Sequence, residues 1–135
     1  LPEGLGRLPQ ALAAHPDAAF AYGIIEAFGI SGPTGLMNWL DWDPARLRHG
    51  NYIDAMSMIR RTALEAVGGY STESALYGWE DFALWAAMAS AGLDGVRVPD
   101  FVARYRVSAH SMISLTNIDS SAAWTTLLRK YPLLA

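Results

Sequence analysis

The sequence contains no cysteine, which excludes disulfide frameworks, thiolate zinc sites and cysteine nucleophiles. Charged residues are also scarce, at 17% of the 135 residues, and 10 Lys and Arg against 13 Asp and Glu leave a net charge of −3. A basic surface that could bind a nucleic-acid backbone is therefore not expected. In the second half of the chain, the uncharged run at residues 82–93 is too short for a bilayer, which requires about 20 apolar residues.

Several motifs of well-known enzymes are missing as well. The sequence has no Gly-x-x-x-x-Gly-Lys-Ser/Thr loop, no Gly-x-Ser-x-Gly elbow and no His-Glu-x-x-His pair. The chain begins with Leu1 and has no basic-then-apolar leader, so we expect an interior piece or one end of a longer protein. What is abundant is hydrophobic sequence, at 52%, which is enough for a sizeable core. We predict a single domain over residues 1–135.

Hydrophobic spacing and turn residues predict alternating helices and strands. The predicted helices cover residues 1–14, a short stretch from Asp43-Pro44, 62–67, 80–91 and 119–130. The predicted strands cover residues 18–25, 51–59 and 96–107, and the predicted loops cover 29–35, 71–78 and 108–117. This order indicates an α/β domain with a mixed sheet flanked by helices and too few strands for a complete sheet. The strands at 18–25 and 51–59 would then lack neighbours, so we expect the chain to self-associate.

The most informative motif for chemistry is Gly78-Trp79-Glu80-Asp81, in which two carboxylates open a helix beside an indole. A helix N-terminus stabilises anions, so Glu80 and Asp81 are expected to be ionised. An ionised carboxylate at the mouth of a loop can act as a general base on a hydroxyl. The indole of Trp79 offers a flat apolar face for a sugar ring. The alternative is ordinary helix capping by the carboxylates and a core position for Trp79.

A wider set of residues resembles family-2 glycosyltransferases with the GT-A fold. The segments that carry this resemblance are Asn51-Tyr52-Ile53-Asp54, Ser57 to Arg61, Gly68-Gly69-Tyr70, Trp79 to Trp85, and Tyr105-Arg106-Val107 with Ser111-Met112. The first helix is similar to the segment that follows the metal-binding Asp-x-Asp of such enzymes. The chain therefore resembles the C-terminal, acceptor-side half of a catalytic domain, without the donor-binding half.

This resemblance implies that Asp81 is the general base of an inverting enzyme. It would take the proton of an acceptor hydroxyl as that oxygen attacks the anomeric carbon of a nucleotide-diphosphate sugar. Glu80 would orient Asp81 or bind acceptor hydroxyls, and Trp79 would be an acceptor platform. The resemblance also implies a carbohydrate or lipid-linked acceptor, a divalent metal (Mg or Mn), and a role in bacterial polysaccharide biosynthesis. It further implies a cytoplasmic location that includes the cytoplasmic face of the membrane.

A second candidate site is the loop from Arg106 to Ser111, which the resemblance places on the diphosphate side. Family members often carry a histidine shortly after Tyr-Arg, but here Ser108 has that position and His110 follows two residues later. Arg106 would offset diphosphate charge. The alternatives are a solvated arginine on the strand and an exposed loop histidine.

Two further features leave the function open between classes. Asp41-Trp42-Asp43 has the spacing of a metal-binding Asp-x-Asp but lies downstream of the expected position and precedes a proline, so we do not expect a metal site there. Trp39 and Trp42 either form an acceptor lip or pack over the sheet. Without a donor site, the chain is not expected to transfer sugar alone. The alternatives are a non-catalytic carbohydrate-binding or protein-interaction module, and a structural domain whose tryptophans are all core.

Overall fold

The computed structural model of the chain describes residues 1–108 and 120–135. Within these ranges, short 3-10 turns and regular helices alternate with four strands. The helices are α1 (Pro2–Ala14), α2 (Arg61–Ala66), α3 (Glu80–Ser90) and α4 (Ser120–Lys130). The strands are β1 (Phe20–Gly29), β2 (Gly32–Met37), β3 (Ser57–Ile59) and β4 (Gly95–Arg106). The 3-10 turns are Pro44–His49, Ser74–Leu76 and Pro132–Leu134.

The sheet is built around β1. On one edge, β4 runs parallel to β1 and pairs with it from Phe20 to Phe28. On the other edge, β3 pairs antiparallel with the first part of β1 and β2 pairs antiparallel with its last part. The predicted α/β class with a mixed sheet is therefore confirmed. The register between β1 and β4 shifts after Gly23, where Pro99 and Asp100 interrupt the pairing.

Helices cover both faces of this sheet because β1 alternates its side chains. Phe20 and Tyr22 belong to a core cluster with α3 and α4, whereas Ala21 and Ile25 belong to a second cluster with α1. Trp85 of α3 is fully buried against Phe20, with ring centroids 4.7 Å apart. The result is three layers, with α1 on one side of the sheet and α3 and α4 on the other. In the parts of the chain that the structure describes, no helix is long and apolar enough to cross a membrane.

Two predicted elements differ from the structure. The predicted loop at 29–35 is instead a hairpin, in which β2 returns along β1 with a register shift between Ala27 and Phe28. The glycines and the proline of β2 are typical of a loop, so the sequence did not indicate this strand. These residues are tolerated here because β2 lies at a sheet edge and is mostly exposed. The predicted strand at 51–59 is reduced to Ser57–Ile59, because residues 51–56 form side-chain-capped turns.

The prediction that the strand at residues 18–25 lacks neighbours is also wrong, since β1 is hydrogen-bonded along both edges. The sheet edges that carry no partner among the described residues belong to β2, β3 and β4. Self-association of the chain stays a prediction, but β1 is not the strand that would mediate it.

Candidate functional site

A cleft of about 880 Å³ opens where four parts of the fold meet. Its walls are the end of β2 with the residues that follow it, the segment 48–54, the N-terminus of α3 and the N-terminus of α4. The sheet places β2 on the same side of β1 as β3, so the chain entering β3 passes beside the end of β2. The topology therefore brings loops from distant parts of the sequence around one cavity, the usual arrangement for a binding site.

Asp81 is the polar centre of this cleft. It is the second residue of α3 and lies on the cleft wall, as the sequence predicted for its position. One carboxylate oxygen, Oδ2, accepts a hydrogen bond from Nδ2 of Asn51 at 2.9 Å. The other, Oδ1, accepts from the backbone N–H of Phe82 at 2.7 Å. These two donors fix the carboxylate and leave further lone pairs of both oxygens for a ligand.

The environment of Asp81 makes it a stronger base than an ordinary aspartate. Burial in the cleft wall is the main cause and raises the pKa of the carboxyl, and the nearby charge of Asp54 raises it further. The hydrogen bonds from Phe82 and Asn51 oppose this shift without reversing it. Burial thus acts against the ionised form that the helix N-terminus was expected to favour.

The segment 51–54 holds Asp81 in place through its own turns. Asn51 Oδ1 accepts from the backbone N–H of Ile53 at 3.2 Å, which orients its amide so that Nδ2 faces Asp81. Trp85 donates its indole N–H to the carbonyl oxygen of Ile53 at 2.8 Å, tying the segment to the buried side of α3. Asp54 Oδ1 accepts from the N–H of Met56 at 2.8 Å and closes the next turn.

Asn38 joins the β2 wall of the cleft to this segment. It is only 2% exposed, and its Oδ1 accepts from the backbone N–H of Asp54 at 2.7 Å. Its φ of 60° is a left-handed conformation that asparagine tolerates better than most residues. Its Nδ2 is buried and has no hydrogen-bond partner among the described residues.

Aromatic side chains form much of the remaining lining. The rings of Trp79 and Phe82 are stacked, with centroids 5.9 Å apart and an interplanar angle of 23°. Trp124 of α4 packs against Phe82 at 5.7 Å, so the three rings form a continuous wall. Trp39, which follows β2, also lines the cleft and is 57% exposed. By contrast, Trp42 packs edge-on against Phe20 in the core cluster and does not line the cleft.

The structure brings together only some of the residues predicted from sequence. Asp81 and Trp79 line the cleft, whereas Glu80 does not. Arg106 is exposed at the end of β4, where its guanidinium lies over the ring of Phe28 at 5.7 Å, and it does not line the cleft. The predicted residues His110 and Ser111 lie outside the described residues.

The family resemblance implied a divalent metal (Mg or Mn), for which His, Asp and Glu side chains are candidate ligands. Among the residues that the structure describes, no group of three or more His, Asp or Glu side chains could hold a metal ion. The carboxylates of Asp41-Trp42-Asp43 make other contacts. Asp41 is ion-paired with Arg97 at 2.7 Å, and Asp43 caps the 3-10 turn by accepting from the N–H of Ala45 at 3.0 Å.

A mixed α/β sheet flanked by helices, with a carboxylate at a helix N-terminus in an aromatic-lined cleft, is consistent with a glycosyltransferase-like domain. Comparison with protein families agrees with this class. The model described as the N-terminal domain of galactosyltransferase matches residues 44–111, just over half of the chain. The chain belongs to this family. No curated protein and no solved structure gave a significant match.

Sequence reasoning missed several residues of the cleft. Asn51 entered only as part of a family resemblance, and nothing marked Asn38 as a buried residue. His49 is exposed and also lines the cleft. The pattern Asn-x-Ile-Asp-x-Met was the one available signal, because Asn and Asp side chains commonly bond to the backbone N–H two residues later.

Proposed function

We propose that this chain forms the acceptor side of an inverting glycosyltransferase of family-2 type, with Asp81 as the general base. In the full-length protein, the enzyme would move a sugar from a nucleotide-diphosphate donor to a hydroxyl of a carbohydrate or lipid-linked acceptor. The observation that supports this most is the carboxylate of Asp81, fixed by two hydrogen bonds, with a raised pKa, in a cleft with an aromatic wall.

The chemistry follows from the properties of that carboxylate. A base accepts a hydroxyl proton more readily when its pKa lies closer to the working pH, and burial moves Asp81 in that direction. The two donors, Asn51 and the N–H of Phe82, prevent the carboxylate from rotating away from the cleft. As the acceptor oxygen attacks the anomeric carbon, its proton would pass to a free lone pair of Asp81, and the nucleoside diphosphate would leave from the opposite face of the sugar.

The aromatic wall supports a carbohydrate acceptor. Trp79 precedes α3 directly, so its ring lies close in sequence and in space to the base. Its stacking on Phe82, which in turn packs against Trp124, restricts the ring to one orientation. A pyranose ring packed on a fixed indole loses little further freedom on binding, which favours affinity. Tyr70 follows the left-handed glycines Gly68 and Gly69, and burial, together with the nearby charge of Asp81, raises the pKa of its hydroxyl.

The donor side is not built by the described residues. These contain no group of three or more His, Asp or Glu side chains that could hold Mg or Mn. In the full-length protein, other parts of the chain would bind the nucleoside diphosphate, and the anomeric carbon of the donor sugar would reach the acceptor hydroxyl at Asp81.

The test is sugar transfer in the full-length protein, followed by release of nucleoside diphosphate. Asp81→Asn removes the proton acceptor with little change in volume and is expected to lower kcat by roughly 10²- to 10⁴-fold. The matched control is Glu65→Gln, an exposed carboxylate on α2 that pairs with Arg61 and is expected to leave kcat unchanged. Full turnover in the Asp81→Asn variant would rule out the assignment of the base.

A non-catalytic carbohydrate-binding module is the second candidate. The observation in its favour is the aromatic wall of Trp79, Phe82 and Trp124, which offers a platform for a sugar ring without any catalytic group. It predicts that the full-length wild-type protein binds glycans through this cleft but releases no nucleoside diphosphate with any nucleotide sugar. The same assay therefore separates the two functions.

A further inference from the structure

The cleft has two chemically different walls. One wall carries the hydrogen-bonding groups around Asp81, in particular Asn51. The other is the end of β2 and the residues after it, which contribute Leu36, Met37 and Trp39. This second wall precedes the segment matched by the family model, which begins at residue 44, so family membership assigns no role to it.

The β2 wall is apolar and open to solvent. No charged side chain occurs between Glu26 and Asp41, although β2 itself is largely exposed. Leu36 is 51% exposed and Trp39 is 57% exposed, and both face the cleft. Exposed strands at sheet edges usually carry charges that prevent unwanted pairing. An uncharged edge that continues into a binding cleft is instead typical of a surface that a ligand covers.

The apolar wall is held at a fixed position relative to Asp81. Asn38 lies between Met37 and Trp39, and its buried Oδ1 accepts from the N–H of Asp54. Asp54 belongs to the same capped segment as Asn51, which binds the carboxylate of Asp81. The left-handed conformation of Asn38 ends the strand at this point. A ligand that reaches Asp81 therefore meets the apolar wall in a constant geometry.

We propose that the acceptor of this site is an amphipathic glycoside, with its sugar at Asp81 and Trp79 and an apolar aglycone along Leu36 and Trp39. This inference rests on the proposed function, because it assigns the acceptor class of the same cleft. The aglycone gains affinity by covering side chains that are otherwise half exposed to water. The sugar end supplies the hydroxyl, and the polar groups at Asp81 discriminate against a purely apolar ligand.

The test is direct binding to the 135-residue chain, which needs no donor and no turnover. Methyl, phenyl and octyl β-D-glucoside are titrated, the last below its critical micelle concentration, and tryptophan fluorescence and isothermal calorimetry report the Kd. We expect octyl glucoside to bind at least about tenfold more tightly than methyl glucoside, equivalent to about 1.4 kcal/mol. The phenyl compound separates a preference for aromatic aglycones from one for alkyl chains.

Variants locate the effect. Leu36→Ser and Trp39→Ser are each expected to reduce the octyl-to-methyl preference by roughly three- to tenfold. Ile30→Ser is the matched control, because Ile30 is a fully exposed apolar residue of the same hairpin that does not line the cleft. Equal Kd values for the octyl and methyl compounds, no binding of octyl glucoside, or an equal loss in the Ile30→Ser variant would each overturn the inference. Asp81→Asn is expected to retain the preference, so a failed base assignment and a failed acceptor class give different results.

Discussion

Replacement of Asp81 by asparagine tests the reasoning about burial without any knowledge of the substrates. Asparagine keeps an oxygen for the N–H of Phe82 but presents its own NH₂ to Nδ2 of Asn51. Asn51 cannot turn its amide over without losing the bond from Ile53 to its oxygen. The variant therefore loses one charge-assisted hydrogen bond, worth about 1.5–3 kcal/mol. In return it no longer holds a charge in a partly desolvated site, which offsets part of that loss.

We therefore expect Asp81→Asn to lower the free energy of unfolding by no more than about 1–2 kcal/mol at pH 7. The pH dependence gives the sharper test. Because the folded-state pKa of Asp81 is raised above its ordinary value of 3.8, ionisation costs stability as the pH rises from that value through the folded-state pKa. Above this window the wild-type protein carries the full cost, and below it the carboxyl is protonated and the cost is absent. The asparagine variant has no such step, so its deficit relative to wild type should be larger at pH 3 than at pH 7.

Urea denaturation of the 135-residue chain at both pH values, followed by tryptophan fluorescence, measures this difference. The control is Glu65→Gln, whose exposed ion pair with Arg61 should be worth less than about 1 kcal/mol. A deficit of Asp81→Asn that is larger at pH 7 than at pH 3, or that exceeds about 3 kcal/mol at pH 7, would refute the argument. Either result would mean that the charge of Asp81 stabilises the fold.

Three further predictions follow from other contacts. The hydrogen bond from Asn51 lowers the pKa of Asp81, so the acid limb of the kcat/KM profile should move to higher pH in Asn51→Ala. The charge of Asp54 raises the pKa of Asp81, so the same limb should move to lower pH in Asp54→Asn. Shifts of both variants in the same direction would contradict this. Arg60 donates to three backbone carbonyls between the last turn of α1 and the start of β1. Arg60→Ala should therefore lower the free energy of unfolding in urea by about 2–4 kcal/mol, and Arg60→Lys should lower it less. Equal losses in the two variants would show that the fork geometry of the guanidinium is irrelevant. The edges of β2, β3 and β4 that have no partner among the described residues predict self-association. Light scattering after size-exclusion chromatography would show this as a mass that falls on dilution, and a constant monomer mass would exclude it.

Elements with regular spacing were predictable from the sequence because local chemistry determines them. The apolar content of α3 and its first-turn carboxylates indicated a helix from residue 80, and it spans Glu80–Ser90. The alternation of Phe20 and Tyr22 with Ala21 indicated β1. The hairpin of β2 was not predictable, because its glycines and proline are typical of a loop and only pairing with β1 makes it a strand.

In the candidate site, too, some features could be predicted from local sequence and others depend on the tertiary structure. The position of Asp81 at a helix N-terminus followed from the residues around it, and so did the nearby indole of Trp79. The raised pKa did not, because it depends on burial by parts of the chain that are distant in sequence. The contact between Asn51 and Asp81 joins residues 30 positions apart, and the bond from Asp54 to Asn38 depends on where β2 ends. Such contacts require the tertiary structure.

The segment that matches the family model is not expected to fold by itself, because it lacks β1, the central strand of the sheet. Residues 20–29 precede the matched segment 44–111, yet β3 and β4 of that segment each pair with β1. A polypeptide cut to residues 44–111 would leave both strands without a neighbour and would expose the face of Trp85 that packs on Phe20. Parallel pairing also joins residues some 75 positions apart along β1 and β4, a long loop to close before any contact forms. Truncation at the family boundary should therefore yield an unfolded chain, and the smallest autonomous unit must include β1.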